Sequence, residues 1–132
     1  MTNKPKLTPA EWEIMKTVWA LDRPVSVRDV LGHAFPDGEK AYTTVQTVMN
    51  TLEKKALLRR EKTGLVNFYS PTRAQEEVLK AEMASLVSRM FGGSIPALAN
   101  SLLSLEDLSL EEIGTIKALI DQKEQELKGG ES

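Results

Sequence analysis

Cysteine is absent from the 132-residue sequence, and histidine occurs only once, at His33. Without cysteine the protein can form no disulfide, thiolate zinc site, iron–sulfur cluster or cysteine nucleophile. One histidine leaves no second histidine for a metal site, and no phosphate-binding loop or nucleophile beside a base is present. His33 is therefore interpreted as a surface or domain-edge residue. We predict that the protein is not an enzyme and holds no metal or cofactor.

Long hydrophobic runs are also missing. No apolar stretch approaches the roughly 20 residues that span a membrane, and the first residues are polar with no signal-peptide core after them. Aromatic residues make up only 5% of the sequence, whereas 41% of residues are hydrophobic and 27% are charged. This composition is typical of a globular protein. We expect a cytoplasmic location.

The charges are distributed unevenly along the chain. Residues 1–73 carry 12 Lys and Arg against 8 Asp and Glu, whereas residues 74–132 carry 5 against 11. A polyanionic partner such as nucleic acid would be attracted by the first part only. The alternative is that these are ordinary surface charges with no partner.

Three short helices are predicted in the first part of the chain. Thr8 and Glu11 can form a capping box with Pro9 at the first helical position, so a helix should run from about residue 9 to residue 20. Ser26 can cap a second helix, which should end before the Pro-Asp-Gly stretch at residues 36–38. A third helix is predicted over about residues 42–55, because its apolar side chains recur at intervals of three and four.

The pattern then changes to that of a β-hairpin. Strand-like runs over residues 57–63 and 65–70 are separated at Thr63-Gly64, and Pro71 closes the second run. Three helices followed by a hairpin predict a winged helix-turn-helix domain over residues 1–71. The fold class is thus mostly α with a small β-hairpin wing.

Residues 72–128 are predicted to form a C-terminal helical dimerisation module, followed by a disordered tail at residues 129–132. A segment of this size buries too little surface to be stable alone, yet it carries many large aliphatic side chains. The alternative is that it folds back onto the first domain. The residues expected at the dimer interface are Leu79, Met83, Leu86, Met90, Leu98, Leu102, Ile113, Ile116 and Ile120.

The polar face of the third helix has an unusual composition. It is rich in threonine and amide side chains, and Glu53 near its end is the only acid between residues 42 and 55. Threonine and asparagine are poor helix formers, so solvation alone does not explain their use here. Hydroxyl and amide groups can contact base edges in a major groove. A threonine-rich surface without a partner is the alternative.

Cations surround this face. Arg60 and Lys62 are two residues apart and should lie on the same side of their strand. Such side chains suit contacts with phosphates, which position a protein without reading the sequence. The residues concerned are Lys40, Lys54, Lys55, Arg59, Arg60 and Lys62.

The sequence resembles the penicillinase and methicillin-resistance repressor family of bacterial winged-helix regulators. The resemblance covers roughly residues 6–127. It is carried by Leu7-Thr8-Pro9-Ala10-Glu11-Trp12-Glu13-Ile14-Met15, Val18-Trp19, Ala41-Tyr42-Thr43-Thr44-Val45-Gln46-Thr47, Leu52-Glu53-Lys54-Lys55 and Phe68-Tyr69-Ser70-Pro71.

The resemblance implies a homodimeric transcriptional repressor of an inverted-repeat DNA operator. The third helix would enter the major groove, the wing would meet the backbone, and the C-terminal helices would join the subunits. The resemblance and the composition of the third helix together predict the DNA-binding residues. These are Tyr42, Thr43, Thr44, Gln46, Thr47, Asn50, Lys54, Arg60 and Lys62.

The resemblance also implies a route of release. In the antibiotic-resistance branch, a membrane sensor metalloprotease signals the drug and the repressor is cut in its C-terminal module. By position, the cut would fall near Asn100-Ser101-Leu102, where the Asn-Phe pair of the family is absent. A copper-responsive branch binds metal through C-terminal cysteines, which this chain lacks.

Two other functions remain as alternatives. The protein could be an interaction module that keeps the winged-helix shape without reading an operator. It could also be a regulator that senses a small molecule, without proteolytic release, because dimers of apolar helices can enclose a pocket.

Overall fold

The computed structural model describes residues 7–130 and confirms a mostly α-helical fold with one β-hairpin. In chain order the elements are α1 (Pro9–Leu21), α2 (Val27–Ala34), α3 (Tyr42–Lys54), β1 (Leu58–Thr63), β2 (Val66–Pro71), α4 (Gln75–Phe91), α5 (Ile95–Leu103) and α6 (Leu110–Gly130). The chain forms two compact units, of which the first ends at Leu86 and the second begins at Val87.

The helices α1 and α2 each begin with a reciprocal capping box. The Glu11 amide donates to the Thr8 hydroxyl at 3.1 Å, while the Thr8 amide donates to the Glu11 carboxylate at 2.9 Å. Ser26 and Asp29 repeat the arrangement at the start of α2. The hydrogen bond from the Ser26 amide holds the pKa of the Asp29 carboxyl below its ordinary value. Both helices thus begin where the sequence predicts.

The core of the first unit lies between α1, α2, α3 and the hairpin. The three helices contact one another, α3 contacts β1, and α1 contacts β2. The apolar stripe of α3 faces this core through Val45, Met49 and Leu52, which are fully buried. Burying this stripe fixes the rotation of α3 about its axis, and so decides which of its polar residues are exposed. Among residues 7–130, the buried apolar residues are Ile14, Met15, Val18, Val25, Val27, Val30, Phe35, Val45, Met49, Leu52, Leu57, Leu58, Tyr69 and Val78.

The hairpin is the wing that the sequence predicts, with a tight turn at its tip. Thr63 pairs with Val66, which leaves Gly64 and Leu65 as the turn, and Gly64 adopts the left-handed conformation at φ 64°. At its base the wing is joined to the segment just before α2 by two hydrogen bonds between Val25 and Tyr69. The wing is thereby held against the helices.

The first unit extends beyond the boundary predicted at residue 71. The indole of Trp19 donates to the Arg73 carbonyl at 2.9 Å, and Val78 on α4 is only 4% exposed within the core. Thr72 does not cap α4, because this helix begins only at Gln75, and the Thr72 hydroxyl instead donates to the Ala56 carbonyl. The first turns of α4 therefore belong with the winged-helix unit, because they cover part of its apolar surface.

The second unit contains the end of α4 together with α5 and α6. Among its described residues, 87–130, no side chain is buried. The helix α6 begins at a capping box of Ser109 and Glu112 and continues to Gly130. The disordered tail predicted from residue 129 is therefore wrong for Gly129 and Gly130, which complete the last helical turn, and residues 131–132 lie outside the described part of the chain.

Candidate nucleic-acid interface

The polar face of α3 is open to solvent along most of its length. Tyr42, Thr43, Thr44 and Thr47 are exposed, whereas Gln46 and Asn50 are half-buried. The first turn of α3 contains no acidic residue, and no side chain caps it, in contrast to α1 and α2. Free amides at a helix N-terminus attract anions, and helix N-termini are among the groups that contact DNA phosphates. This end of α3 is thus suited to a negatively charged partner.

Two threonine hydroxyls on α3 are hydrogen-bonded within the helix. Thr47 donates to the Thr43 carbonyl at 2.9 Å, and Thr51 donates to the Thr47 carbonyl at 3.0 Å. A hydroxyl whose hydrogen is used in this way still offers its oxygen as an acceptor. Thr47 can therefore present an acceptor and a methyl group, and a thymine methyl packs well against the latter.

A cleft of about 300 Å³ lies between the start of α2, the exposed face of α3 and the tip of the wing. Gln46 lines it beside Tyr42 and Arg28, and Leu65 and Asn67 line it from the wing. The Arg28 guanidinium lies 5.5 Å from the centre of the Tyr42 ring, within the range of a cation–π contact. Sequence reasoning missed Arg28, because a single arginine on a short helix does not stand out until the fold places it beside α3.

The wing carries its cations on two faces. Arg60 pairs with Tyr69 and Lys62 pairs with Asn67 in the hairpin register, so both cations lie on the face shared with Tyr69. Arg59 lies on the other face, near Arg23 and Phe68. Arg60 also contacts Glu53 on α3, with Nε 3.5 Å from the carboxylate. Lys62 is exposed and lies on the same side of the strand as Arg60.

The two lysines at the end of α3 differ in their surroundings. Lys54 is exposed, whereas the Lys55 ammonium lies 2.8 Å from the carboxylate of Glu11, which is buried on α1. Burial alone would raise the pKa of Glu11, but hydrogen bonds from Lys55 and from the Thr8 amide lower it below its ordinary value. Lys55 therefore joins α3 to α1, and Lys54 is the lysine of this pair that is available to a phosphate.

Asn50 contacts the wing as well as lying on the predicted DNA-binding face. Its side-chain oxygen accepts a hydrogen bond of 2.8 Å from the Tyr69 hydroxyl. Tyr69 is almost completely buried, and this burial raises the pKa of its phenol against the opposing influence of Arg60. The pairing between α3 and the wing was not predicted from the sequence.

The predicted interface residues of the C-terminal helices are at least partly exposed in the single chain. Leu79, Met83, Met90, Leu102 and Ile120 are exposed, and Leu86, Leu98, Ile113 and Ile116 are half-buried. The predicted cleavage residues Asn100, Ser101 and Leu102 are all exposed on α5.

Residues 7–130 contain no cluster of side chains suited to holding a metal ion. None of the helices within this range is both long enough and apolar enough to cross a membrane. His33 is exposed on α2, as the sequence interpretation expects.

Lys62→Ala is expected to weaken binding to all DNA sequences alike. Each phosphate contact removed should reduce the slope of log affinity against log salt by about one unit, because one fewer counterion is released. The measurement is a titration of the protein with a duplex at several salt concentrations. Arg59→Ala, on the opposite face of the same strand, is the matched control and should leave the slope unchanged. An unchanged slope for Lys62→Ala would contradict the assignment.

The three-helix unit, its wing and the acid-poor exposed face of α3 define a winged-helix protein with a surface suited to DNA. The model of the penicillinase repressor family matches residues 7–122. The chain belongs to this family, and is thus a DNA-binding transcriptional repressor and not an enzyme.

Individual relatives match over nearly the whole chain. The chain is 24% identical to the penicillinase repressor of Bacillus licheniformis over 128 residues, which are 97% of this chain and 99% of that protein. It is 22% identical over 124 residues to the methicillin resistance regulatory protein MecI of Mammaliicoccus sciuri, covering 93% and 100% of the two chains. A solution structure of the DNA-binding domain of the repressor BlaI is 27% identical, covers 58% of this chain and 93% of that chain, and superposes with a TM-score of 0.49.

Proposed function

We propose that the protein represses transcription as a homodimer bound to an inverted-repeat operator. In each subunit α3 would lie in the major groove and the wing would lie along the phosphate backbone. The observation that carries this proposal is the exposed, acid-poor face of α3 flanked by Lys54 and Lys62. Base contacts from α3 would supply sequence specificity, and the lysines would supply affinity that depends on salt.

The dimer is supported by the apolar surface of the C-terminal helices. On α6, Ile113, Ile116, Ile120 and Leu127 follow one another at intervals of three, four and seven residues, which places them along one side of the helix. Ile120 is 61% exposed and Leu127 is 59% exposed in the single chain. A stripe of this kind is stable in water only when another surface covers it. A second copy of the same chain is the simplest such surface.

A dimer with twofold symmetry would present two copies of α3 in opposite orientations. The two half-sites would therefore be inverted repeats, with their centres about one helical turn of DNA, or a multiple of it, apart. The symmetry of the DNA site is thus a direct test of the dimer.

Selection of binding sites from a pool of random duplexes tests the proposed function. The full chain should enrich a sequence that contains two inverted half-sites. Enrichment of a single half-site would contradict the dimer, and enrichment of no sequence would contradict operator reading. A duplex built from the enriched sequence is called the selected duplex below.

We further propose that repression ends when α5 is cut. In support, α5 has nine residues and buries none of them within the single chain, so its local unfolding breaks few contacts within that chain. It follows Gly92 and Gly93, both at positive φ, which separate it from α4. A cut near Asn100-Ser101-Leu102 would separate α6 from the rest of the chain, and with it Ile113, Ile116 and Ile120. The partner that the family resemblance suggests is a membrane sensor metalloprotease.

Limited proteolysis should cut the full chain first between residues 92 and 107. The fragments would be identified by their masses, both in the purified protein and in cells exposed to candidate inducers. The cut protein should lose most of its affinity for the selected duplex because its two DNA-binding units are no longer joined. If every early cut falls outside this segment in both settings, release does not proceed through α5.

A further inference from the structure

A chain of polar side chains connects α3 with the wing beneath the predicted DNA-binding face. Asn50 and Glu53 are three residues apart on α3, and Arg60 and Tyr69 are directly paired across the hairpin. The Tyr69 hydroxyl donates to the Asn50 oxygen at 2.8 Å, and Arg60 Nε lies 3.5 Å from the Glu53 carboxylate. These four side chains thus form two contacts between the helix and the wing.

The identity of the Asn50 atom at Tyr69 matters, because an amide has an acceptor on one side and donors on the other. Arg60 can only donate, and it is directly paired with Tyr69 across the hairpin, so its positive charge favours the phenol orientation in which the oxygen faces the guanidinium. The hydroxyl hydrogen is directed away from this cation, to Asn50. The Asn50 atom that faces Tyr69 is accordingly the oxygen.

Holding the Asn50 side-chain oxygen at Tyr69 also determines the direction of the Asn50 amide nitrogen. With the oxygen held by Tyr69, the amide cannot rotate by 180° and exchange its two ends without losing the hydrogen bond. The Asn50 amide nitrogen, which carries two hydrogens, then remains as the donor toward a DNA base. In a major groove, such a donor distinguishes bases that present an acceptor, such as O6 and N7 of guanine, from cytosine, which presents an amino group.

We infer that Tyr69 is a positioning residue that sets the donor side of Asn50 toward the DNA, and so determines the base preference at one position of each half-site. This inference rests on the proposed function, since it assumes that α3 reads DNA. Tyr69 itself is too deeply buried to contact a base, and it acts through Asn50. Burial of the ring and selection of the base are thus separate roles of one residue.

The test compares base preferences of the wild-type chain, Tyr69→Phe and Asn50→Ala, each selected from the same random duplex pool. Phenylalanine keeps the buried ring and removes only the hydroxyl. We expect Tyr69→Phe to enrich the wild-type sequence except at one base pair per half-site, where preference falls about tenfold. Asn50→Ala should lose preference at the same base pair. Ser70→Ala, on the other face of β2, is the control and should retain the full profile.

The outcomes separate the inference from the function on which it rests. If the wild-type chain enriches no sequence, the proposed function fails. If it does enrich a sequence and Tyr69→Phe retains the same preference at every position, the inference is overturned. Lower thermal stability with an unchanged profile would mean that Tyr69 is only structural, which also overturns it.

A second pair of measurements covers the case in which Tyr69→Phe does not fold. Asn50→Asp can still accept the Tyr69 hydrogen bond but offers a carboxylate in place of the amide donors, so its preference at that base pair should move toward cytosine. In the wild-type protein, nuclear magnetic resonance should find the Tyr69 hydroxyl proton in slow exchange and close to the Asn50 amide. An unchanged preference for Asn50→Asp, or a hydroxyl proton that exchanges as fast as that of an exposed tyrosine, would overturn the inference.

Discussion

Ile120→Asp is expected to lower affinity for the selected duplex by about 100-fold or more while the winged-helix unit stays folded. The substitution places a carboxylate in the middle of the apolar stripe of α6, where a second chain is proposed to bind. Burying an unpaired charge in such an interface is strongly unfavourable, so the dimer should dissociate. Each released chain can then hold only one half-site, and the gain from joining two DNA-binding units is lost.

Two measurements define this result. Sedimentation should give a single-chain mass for Ile120→Asp and twice that mass for the wild-type protein, and titration with the selected duplex should give the change in affinity. Ala118→Asp is the matched control, because residue 118 lies about 200° around the helix from residue 120 and so on the other side of α6. A dimeric Ile120→Asp with unchanged affinity would show that α6 is not at the interface.

Gln46→Ala is expected to cost about 1–3 kcal/mol of binding free energy on the selected duplex and much less on random DNA. Gln46 is half-buried in the middle of the polar face of α3 and lines the cleft toward the wing. Its amide can both donate to and accept from a base edge, which makes it able to distinguish bases. Alanine keeps the helix and removes only those hydrogen bonds.

The loss must be specific to sequence if Gln46 reads bases. Titrations with the selected duplex and with a scrambled duplex of equal length and composition, at one salt concentration, give the two affinities. Gln122→Ala makes the same chemical change on the exposed surface of α6 and should change neither affinity. Equal losses on both duplexes for Gln46→Ala would show that this residue only helps to hold the DNA.

The elements of the winged-helix unit follow from local patterns and are largely predictable from the sequence. Capping side chains lie three residues apart in the chain, so Thr8 with Glu11 is visible without a structure. The turn at Gly64 is visible for the same reason, since it depends on one residue that tolerates positive φ. Local patterns can also mislead. Thr72 and Gln75 have the spacing of a capping box, yet the Thr72 hydroxyl donates to the Ala56 carbonyl, 16 residues earlier in the chain.

The candidate site is only partly predictable, because several of its side chains have partners distant in sequence. Lys55 appears to be one of several equivalent cations until the fold brings it to Glu11, 44 residues away. The same applies to Asn50, because its partner Tyr69 lies 19 residues further along the chain. The composition of α3 identifies the surface, whereas the orientation of each side chain on it depends on tertiary packing.

The most direct test of sequence reading by α3 is the affinity of the full wild-type chain for the selected and scrambled duplexes over a range of salt concentrations. Both affinities should fall steeply as salt rises, because phosphate contacts contribute to both complexes. The protein should nevertheless bind the selected duplex at least about 1,000-fold more tightly than the scrambled duplex at every salt concentration. Equal affinities for the two duplexes would contradict the account, since the protein would then neutralise phosphates without reading a sequence.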